Sequence, residues 1–197
     1  MKLKEILSKY IDEGIHDKNT FKAIFLSGIP ASGKTEFYNF SLRPKNFKSL
    51  DADNILAFLA KRDGIGLKEK GLYDKYSEQI SQKLSNQNKL WTKESLGLAI
   101  DTTGQDLFKT MRIKSSLEEK GYKTAMVFVL MSVEDAIKYA EKRERAVDKE
   151  YIYSVNKKLQ NNKRTYQNSF DFFIEVKGRD RDDYLRVDKE IDKWLND

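Results

Sequence analysis

The stretch that decides the fold is Gly28-Ile29-Pro30-Ala31-Ser32-Gly33-Lys34-Thr35, a complete G-x-x-x-x-G-K-[ST] phosphate loop. An apolar, strand-like run (Ala23, Ile24, Phe25, Leu26) precedes it, and a helix-like segment from Thr35 to Phe40 follows. That strand-to-helix context gives the pattern its meaning. Gly28, Gly33 and the small residues Ala31 and Ser32 let the backbone curl so that successive N–H groups point inward. The result is an anion nest at a helix N-terminus. Lys34 is placed to reach the terminal phosphates of a nucleoside triphosphate, ATP or GTP, and the Thr35 hydroxyl to ligate Mg²⁺. A turn of this composition that binds nothing is the bland alternative, and the match at all four fixed positions argues against it.

Outward from the loop, apolar runs recur at Ala23–Ser27, Phe47–Leu50, Leu96–Ile100, Ala125–Met131 and Phe172–Val176. Each is short and rich in β-branched or aromatic residues, as buried strands are. Helix-period segments lie between them. Ile55, Leu56, Leu59 and Ala60 share a face, as do Leu107, Met111, Ile113 and Leu117 around Lys114, ending at Gly121. Ile137, Tyr139 and Ala140 belong to a further helix, and Ile191, Trp194 and Leu195 to the last. Strands alternating with helices predict an α/β fold with a parallel sheet flanked on both sides by helices. The pattern reads as one domain over residues 1–197, with an N-terminal helix in 1–20, a polar helical insert at 72–93 and a lid at 142–152.

Composition narrows the chemistry. The chain has 197 residues, no cysteine and a formal charge of +6, with a pI near 9.2. Disulfides, thiolate metal sites and cysteine nucleophiles are excluded. No apolar stretch reaches membrane-spanning length, and the charged N-terminus lacks a signal-peptide core, so a cytoplasmic protein without a membrane partner is expected. The basic balance favours anionic partners without choosing among them. His16, the only histidine, has no second ligand nearby in sequence and reads as surface.

In parallel sheets ligands bind beyond the carboxyl ends of the strands. The second strand ends in Leu50-Asp51-Ala52-Asp53-Asn54 and the third in Ile100-Asp101-Thr102-Thr103-Gly104-Gln105. Two carboxylate-bearing turns beside a triphosphate site suit phosphoryl transfer: one acid for the Mg²⁺ shell, another to accept the proton of an attacking hydroxyl. Asp53 is the candidate base, though aspartate there is also a natural helix N-cap. Asp51 reads as the cap of that turn or as a group behind the metal and acceptor. Asp101 reads as a metal or substrate ligand, with a turn residue as the alternative. The basic run Lys142-Arg143-Glu144-Arg145-Ala146-Val147-Asp148-Lys149-Glu150 reads as a lid, its Arg143 and Arg145 neutralising the transferred phosphoryl group. A solvated helix face is the competing reading. Trp91, Tyr73 and Tyr76 in the polar insert either stack a base or anchor their helix to the core.

These residues carry a likeness. The chain resembles P-loop kinases of the group containing polynucleotide kinases and zeta toxins, over about Ile24 to Leu159. Leu50-Asp51-Ala52-Asp53 looks like the motif bearing that group's hydroxyl-activating aspartate, at Asp53. Leu98-Ala99-Ile100-Asp101-Thr102-Thr103-Gly104 is similar to the third-strand motif, in which an acid and a following hydroxyl (here Thr103) face substrate or metal. Lys120-Gly121-Tyr122-Lys123-Thr124 has a zeta-toxin look, and Arg143 to Val147 with Glu150 and Ile152 resembles the arginine-bearing lid. The resemblance implies a five-stranded parallel sheet with kinase strand order, and γ-phosphoryl transfer from ATP or GTP to a hydroxyl of a nucleic acid or nucleotide. A zeta-like kinase of a UDP-amino sugar and an ATPase module without acceptor are the alternatives, and a hydroxylated base in DNA also fits as acceptor.

The departures fall on acceptor recognition. Phage-type polynucleotide kinases carry an arginine a few residues after the aspartate, where this chain has Asn54-Ile55-Leu56. Zeta toxins carry a His-Pro pair in that segment and an arginine after the third-strand glycine; this chain has no such pair, and Gln105 follows Gly104. The usual lid proline is replaced by Asp148.

Overall fold

The computed structural model describes residues 18–69, 71–143 and 147–197. Five strands, β1 (Lys22–Ser27), β2 (Lys48–Leu50), β3 (Leu98–Thr102), β4 (Lys123–Leu130) and β5 (Phe172–Lys177), form one sheet in the order β2-β3-β1-β4-β5. All neighbours pair in parallel. The helices are α1 (Lys34–Phe37), α2 (Ala52–Arg62), α3 (Leu72–Lys93), α4 (Leu107–Glu118), α5 (Val133–Glu141), α6 (Lys149–Ser169) and α7 (Arg181–Asn196). α1 runs on through a π turn (Tyr38–Leu42) and a 3₁₀ turn (Arg43–Lys45).

Every residue of β1 is buried, because the sheet is covered on both sides. Ala23 and Phe25 face one layer, packed with Leu117 of α4, Ala136 of α5 and Ile152, Val155 and Leu159 of α6. Ile24 and Leu26 face the other, packed with Phe37 of α1 and Tyr184, Val187 and Ile191 of α7. A third cluster joins Ile55, Leu56 and Leu59 of α2 to Leu72, Tyr76 and Ile80 of α3. The insert helix thus holds to α2 through one apolar stripe, and its Leu84 and Trp91 pack against the main core.

The strand order places the site. The chain leaves β1 toward β2 on one side and leaves β3 toward β4 on the other, so a crevice opens at the carboxyl ends of β1 and β3. Leu26 lies level with Asp101, and Leu50 level with Ile100. The phosphate loop after β1, Asp51 after β2 and Asp101 on β3 therefore meet at one edge.

Three expectations are corrected. The third strand begins two residues late, because the Leu96 amide donates to the Trp91 carbonyl and Ser95 has φ +57°, so 95–96 finish the end of α3. Asp101 is consequently a strand residue and not a turn residue. On α4 the fully buried positions are Thr110, Lys114 and Leu117, with Leu107, Met111 and Ile113 only partly buried. Lys114 is tolerated there because it pairs with Glu118 and lies 5.5 Å over the Phe170 ring. His16, Arg145 and most of the expected N-terminal helix lie outside the described residues.

Candidate active site

The phosphate loop is shaped by two left-handed residues, Ala31 (φ 64°) and Gly33 (φ 101°). Gly33 caps α1 without any side-chain hydrogen bond to the helix, so the first-turn amides, which have no partner inside the helix, face the loop interior. Gly28 is buried, and a Cβ there would sit 2.7 Å from Ser32 Oγ and 2.9 Å from the Val129 carbonyl. Ser32 Oγ is itself buried with no hydrogen-bond partner. Unsatisfied buried polar groups are costly, and here the donors converge on a cradle that an anion would satisfy. Lys34 donates to the carbonyls of Gly28 (2.9 Å) and Ile29 (3.3 Å) and stands 3.7 Å from the Asp101 carboxylate.

A pocket of about 450 Å³ opens over this loop, walled by the loop itself, Asp51, Asp53, Asp101, Tyr73 and Lys109. Thr35, Thr102, Thr103, Arg143, Val147 and Tyr151 complete the wall. Of the two acids after β2, Asp51 is the helix cap: its Oδ1 accepts from the amides of Asp53 (2.7 Å) and Asn54 (3.2 Å). Burial raises its carboxyl above the ordinary range, Asp53 adds to the rise, and the two amides and Lys34 oppose it. Asp53, released from capping, sits exposed on the first turn of α2 and accepts a hydrogen bond from the Tyr73 hydroxyl. Burial pushes Asp101 up to about 6, with Lys34 and Arg143 opposing and Asp51 and Asp53 reinforcing.

The β3–α4 turn is clamped from α6. Asn162 and Tyr166 both donate to the Gly104 carbonyl, at 3.0 and 2.8 Å. Gly104 has φ +67°, and a Cβ there would lie 2.1 Å from Ser27 Oγ, so the turn requires glycine. Thr103 lines the pocket while its carbonyl accepts from Ser27 Oγ at 3.4 Å. Gln105, at the position of the missing arginine, donates to the Tyr151 hydroxyl at 3.0 Å. In place of the lid proline, Asp148 caps α6 by accepting from the Glu150 amide.

The structure thus brings together the phosphate loop, Asp51, Asp53, Asp101, Thr103 and Arg143. Of the insert aromatics, Tyr76 is fully buried with its hydroxyl on Asp63, and Trp91 packs against the core, so both anchor. Tyr73 alone of these three enters the pocket. Lys109, Tyr151 and Gly178 escaped the sequence reading. Lys109 lies in the first turn of α4 and belongs to no motif that would mark it. Gly178 has no such mark either, yet a Cβ on it would lie 1.9 Å from the Ser32 carbonyl.

The donor set suits Mg²⁺ held jointly with a nucleotide. Among the described residues no group of three acidic or imidazole side chains forms a metal cage, whereas Thr35 and Asp101 flank the phosphate cradle. Mg²⁺ typically takes one or two protein oxygens and fills the rest of its shell with phosphates and water. Among the same residues no helix is long and apolar enough to cross a membrane.

The family model described as zeta toxin matches residues 8–188. Among solved structures, the chain is similar to that of the PezAT chromosomal toxin–antitoxin system of Streptococcus pneumoniae (19% identity, TM-score 0.64, covering 88% of this chain and 76% of that one). It is also similar to the AvrRxo1-ORF1:ORF2 complex with ATP (13%, 0.62, 88% and 63%). Shikimate kinase from Bacteroides thetaiotaomicron shares the fold as well (13%, 0.54, 89% and 98%). No curated protein matches the sequence.

Proposed function

The chain belongs to the zeta toxin family, and from that premise we propose that this P-loop kinase transfers the γ-phosphate of ATP or GTP to a hydroxyl of a nucleotide-linked acceptor. The observation that carries the reading is the convergence of the phosphate loop, Lys34, Thr35 and the acids Asp53 and Asp101 on one pocket.

In this reading Lys34 leaves the Gly28 and Ile29 carbonyls for the β- and γ-phosphates, and the loop amides hold the same oxygens. Thr35 and Asp101 would hold Mg²⁺, which would neutralise charge on the phosphates. Asp53 orients the acceptor hydroxyl and takes its proton, being the acid of the β2 turn not committed to capping. Asp51 fixes that turn behind it, and Thr103 faces the acceptor. Arg143 stabilises the transferring group, and Arg145 is assigned the same role from sequence alone.

For the acceptor, a UDP-amino sugar is favoured over a polynucleotide end. Ile55 and Leu56, where an arginine would grip nucleic-acid phosphate, are buried against α3. With Gln105 tied to Tyr151, Lys109 is the cation at hand for the acceptor's diphosphate. The test is γ-labelled ATP with Mg²⁺ against UDP-N-acetylglucosamine, 5′-hydroxyl oligonucleotides and free nucleosides in parallel. Label on the sugar nucleotide supports the reading. Label on the oligonucleotide alone replaces the acceptor, and ATP hydrolysis indifferent to every acceptor replaces the kinase with an ATPase module.

A further inference from the structure

The Asp53 carboxylate already accepts a hydrogen bond from a hydroxyl, and that hydroxyl belongs to the chain itself. α3 begins behind Gly71, whose φ of +78° turns the backbone into the helix. Leu72, Tyr76 and Ile80 then pack on Ile55, Leu56 and Leu59 of α2. That stripe fixes the first turn of α3 against the first turn of α2, and Tyr73, between Leu72 and Tyr76, meets Asp53. The Tyr73 Oη donates to Asp53 Oδ1, and the residue lines the same pocket as Lys34 and Thr35. A general base must lie within hydrogen-bond reach of the proton it removes. The Tyr73 hydroxyl meets that condition in the structure as it stands.

We propose that Tyr73 is a self-phosphorylation site: without an external acceptor, the kinase transfers the γ-phosphate of bound ATP to its own Tyr73 hydroxyl. This rests on the reading of Asp53 as proton acceptor. The Tyr73 oxygen forms the new bond to the γ-phosphorus as the bond from that phosphorus to the β–γ bridging oxygen breaks. The bridging electron pair leaves with ADP, and the phenolic proton passes to the Asp53 carboxylate. A phenol is a weaker nucleophile than a sugar hydroxyl, but phosphoryl transfer runs through a loose transition state in which placement dominates. The phenol also gives up its proton more readily, ionising near pH 10.

The modification has a consequence at the site. A phosphotyrosine brings about two negative charges to a wall that already carries Asp51, Asp53 and Asp101. Repulsion against an incoming triphosphate then weakens nucleotide binding, so the phosphorylated chain is self-silenced. An acceptor hydroxyl that displaces Tyr73 from Asp53 diverts the phosphate to product.

The test incubates the purified chain with γ-labelled ATP and Mg²⁺ and no acceptor, then maps the label by mass spectrometry of peptides. The expected result is phosphate on Tyr73, appearing at a rate per molecule that does not change on dilution. Asp53→Asn slows it about 100-fold or more, and Tyr73→Phe leaves the site unlabelled. The phosphorylated chain is expected to bind a non-hydrolysable ATP analogue about tenfold more weakly than the unmodified one. No label on the wild-type chain, label elsewhere, or a rate proportional to protein concentration overturns the proposal. UDP-N-acetylglucosamine phosphorylated by a chain that never labels itself overturns it while leaving the proposed function standing. Tyr73 labelled equally fast in Asp53→Asn supports the self-phosphorylation site and instead removes Asp53 as its base.

Discussion

Lys34 holds two roles at once: its ammonium donates to the Gly28 carbonyl at 2.9 Å and stands 3.7 Å from the Asp101 carboxylate. The loop's own carbonyls thus keep the cation in place before a triphosphate arrives, one short swing from the cradle. Lys34→Ala removes both the proposed phosphate ligand and the partner of Asp101. Transfer is expected to fall about 10²–10³-fold or more in kcat, with nucleotide affinity reduced as well. Calorimetric titration with ATP and label transfer, run on the same preparation, check both parts.

Asp53→Asn separates chemistry from binding. Asp51 caps α2 and Asp53 does not, so the amide should leave the helix intact and nucleotide affinity near wild type. Loss of the proposed proton acceptor is expected to lower transfer about 10²–10⁴-fold. Nucleotide binding lost together with transfer would assign Asp53 to the metal or the fold instead.

Much of this arrangement was legible in the chain. The five apolar runs correspond to the five strands, and Leu72 to Lys93 forms one helix, because both patterns follow from burial on a doubly covered sheet and on a one-sided stripe. The assignment of cap and candidate base between Asp51 and Asp53 was not legible. Both are aspartates, either of which can cap a helix, and only the hydrogen bonds from the Asp53 and Asn54 amides to Asp51 separate them. Thr102-Thr103-Gly104 carries turn chemistry that points to a turn at Asp101, while the strand persists through Thr102 by pairing with Ser27. Contacts between distant segments left no local trace: Gly178 against Ser32, Tyr73 against Asp53 and Gln105 against Tyr151 are products of the tertiary fold.

The half-buried Asp101 makes nucleotide-free stability depend on pH. Its carboxyl is raised to about 6 from 3.8, chiefly by burial, so the folded chain binds this proton more tightly than the unfolded one. Stability from this group is full below the lower value, falls as pH rises between the two, and is lost above about 6. Asp101→Asn abolishes that slope and is expected to be about 3 kcal/mol more stable than wild type near pH 7.5. The raised Asp51 leaves a residual slope of the same sign. Urea unfolding of both chains without nucleotide or Mg²⁺ at about pH 5 and 7.5 measures the difference; a gap that fails to widen with pH removes Asp101 as its source.

Gly178 follows β5 and lies outside the phosphate-loop motif, yet its backbone is packed against the loop. A Cβ on Gly178 would meet the Ser32 carbonyl oxygen at 1.9 Å and the Leu130 carbonyl oxygen at 3.2 Å. Both contacts are backbone, so relief requires moving the loop or the β5–α7 connection, where the Arg179 amide is tied to the Tyr184 hydroxyl at 2.8 Å. Gly178→Ala is therefore expected to cost about 1–3 kcal/mol, the range of overpacked sites, and to weaken nucleotide binding by displacing Ser32. Gly66 has nothing within 4 Å of its Cβ position, so Gly66→Ala serves as the control and should be near neutral on both counts. Thermal unfolding and ATP titration of the two variants decide the matter. An unaltered ATP affinity in Gly178→Ala would place the strain in the connection and leave the phosphate loop undisturbed.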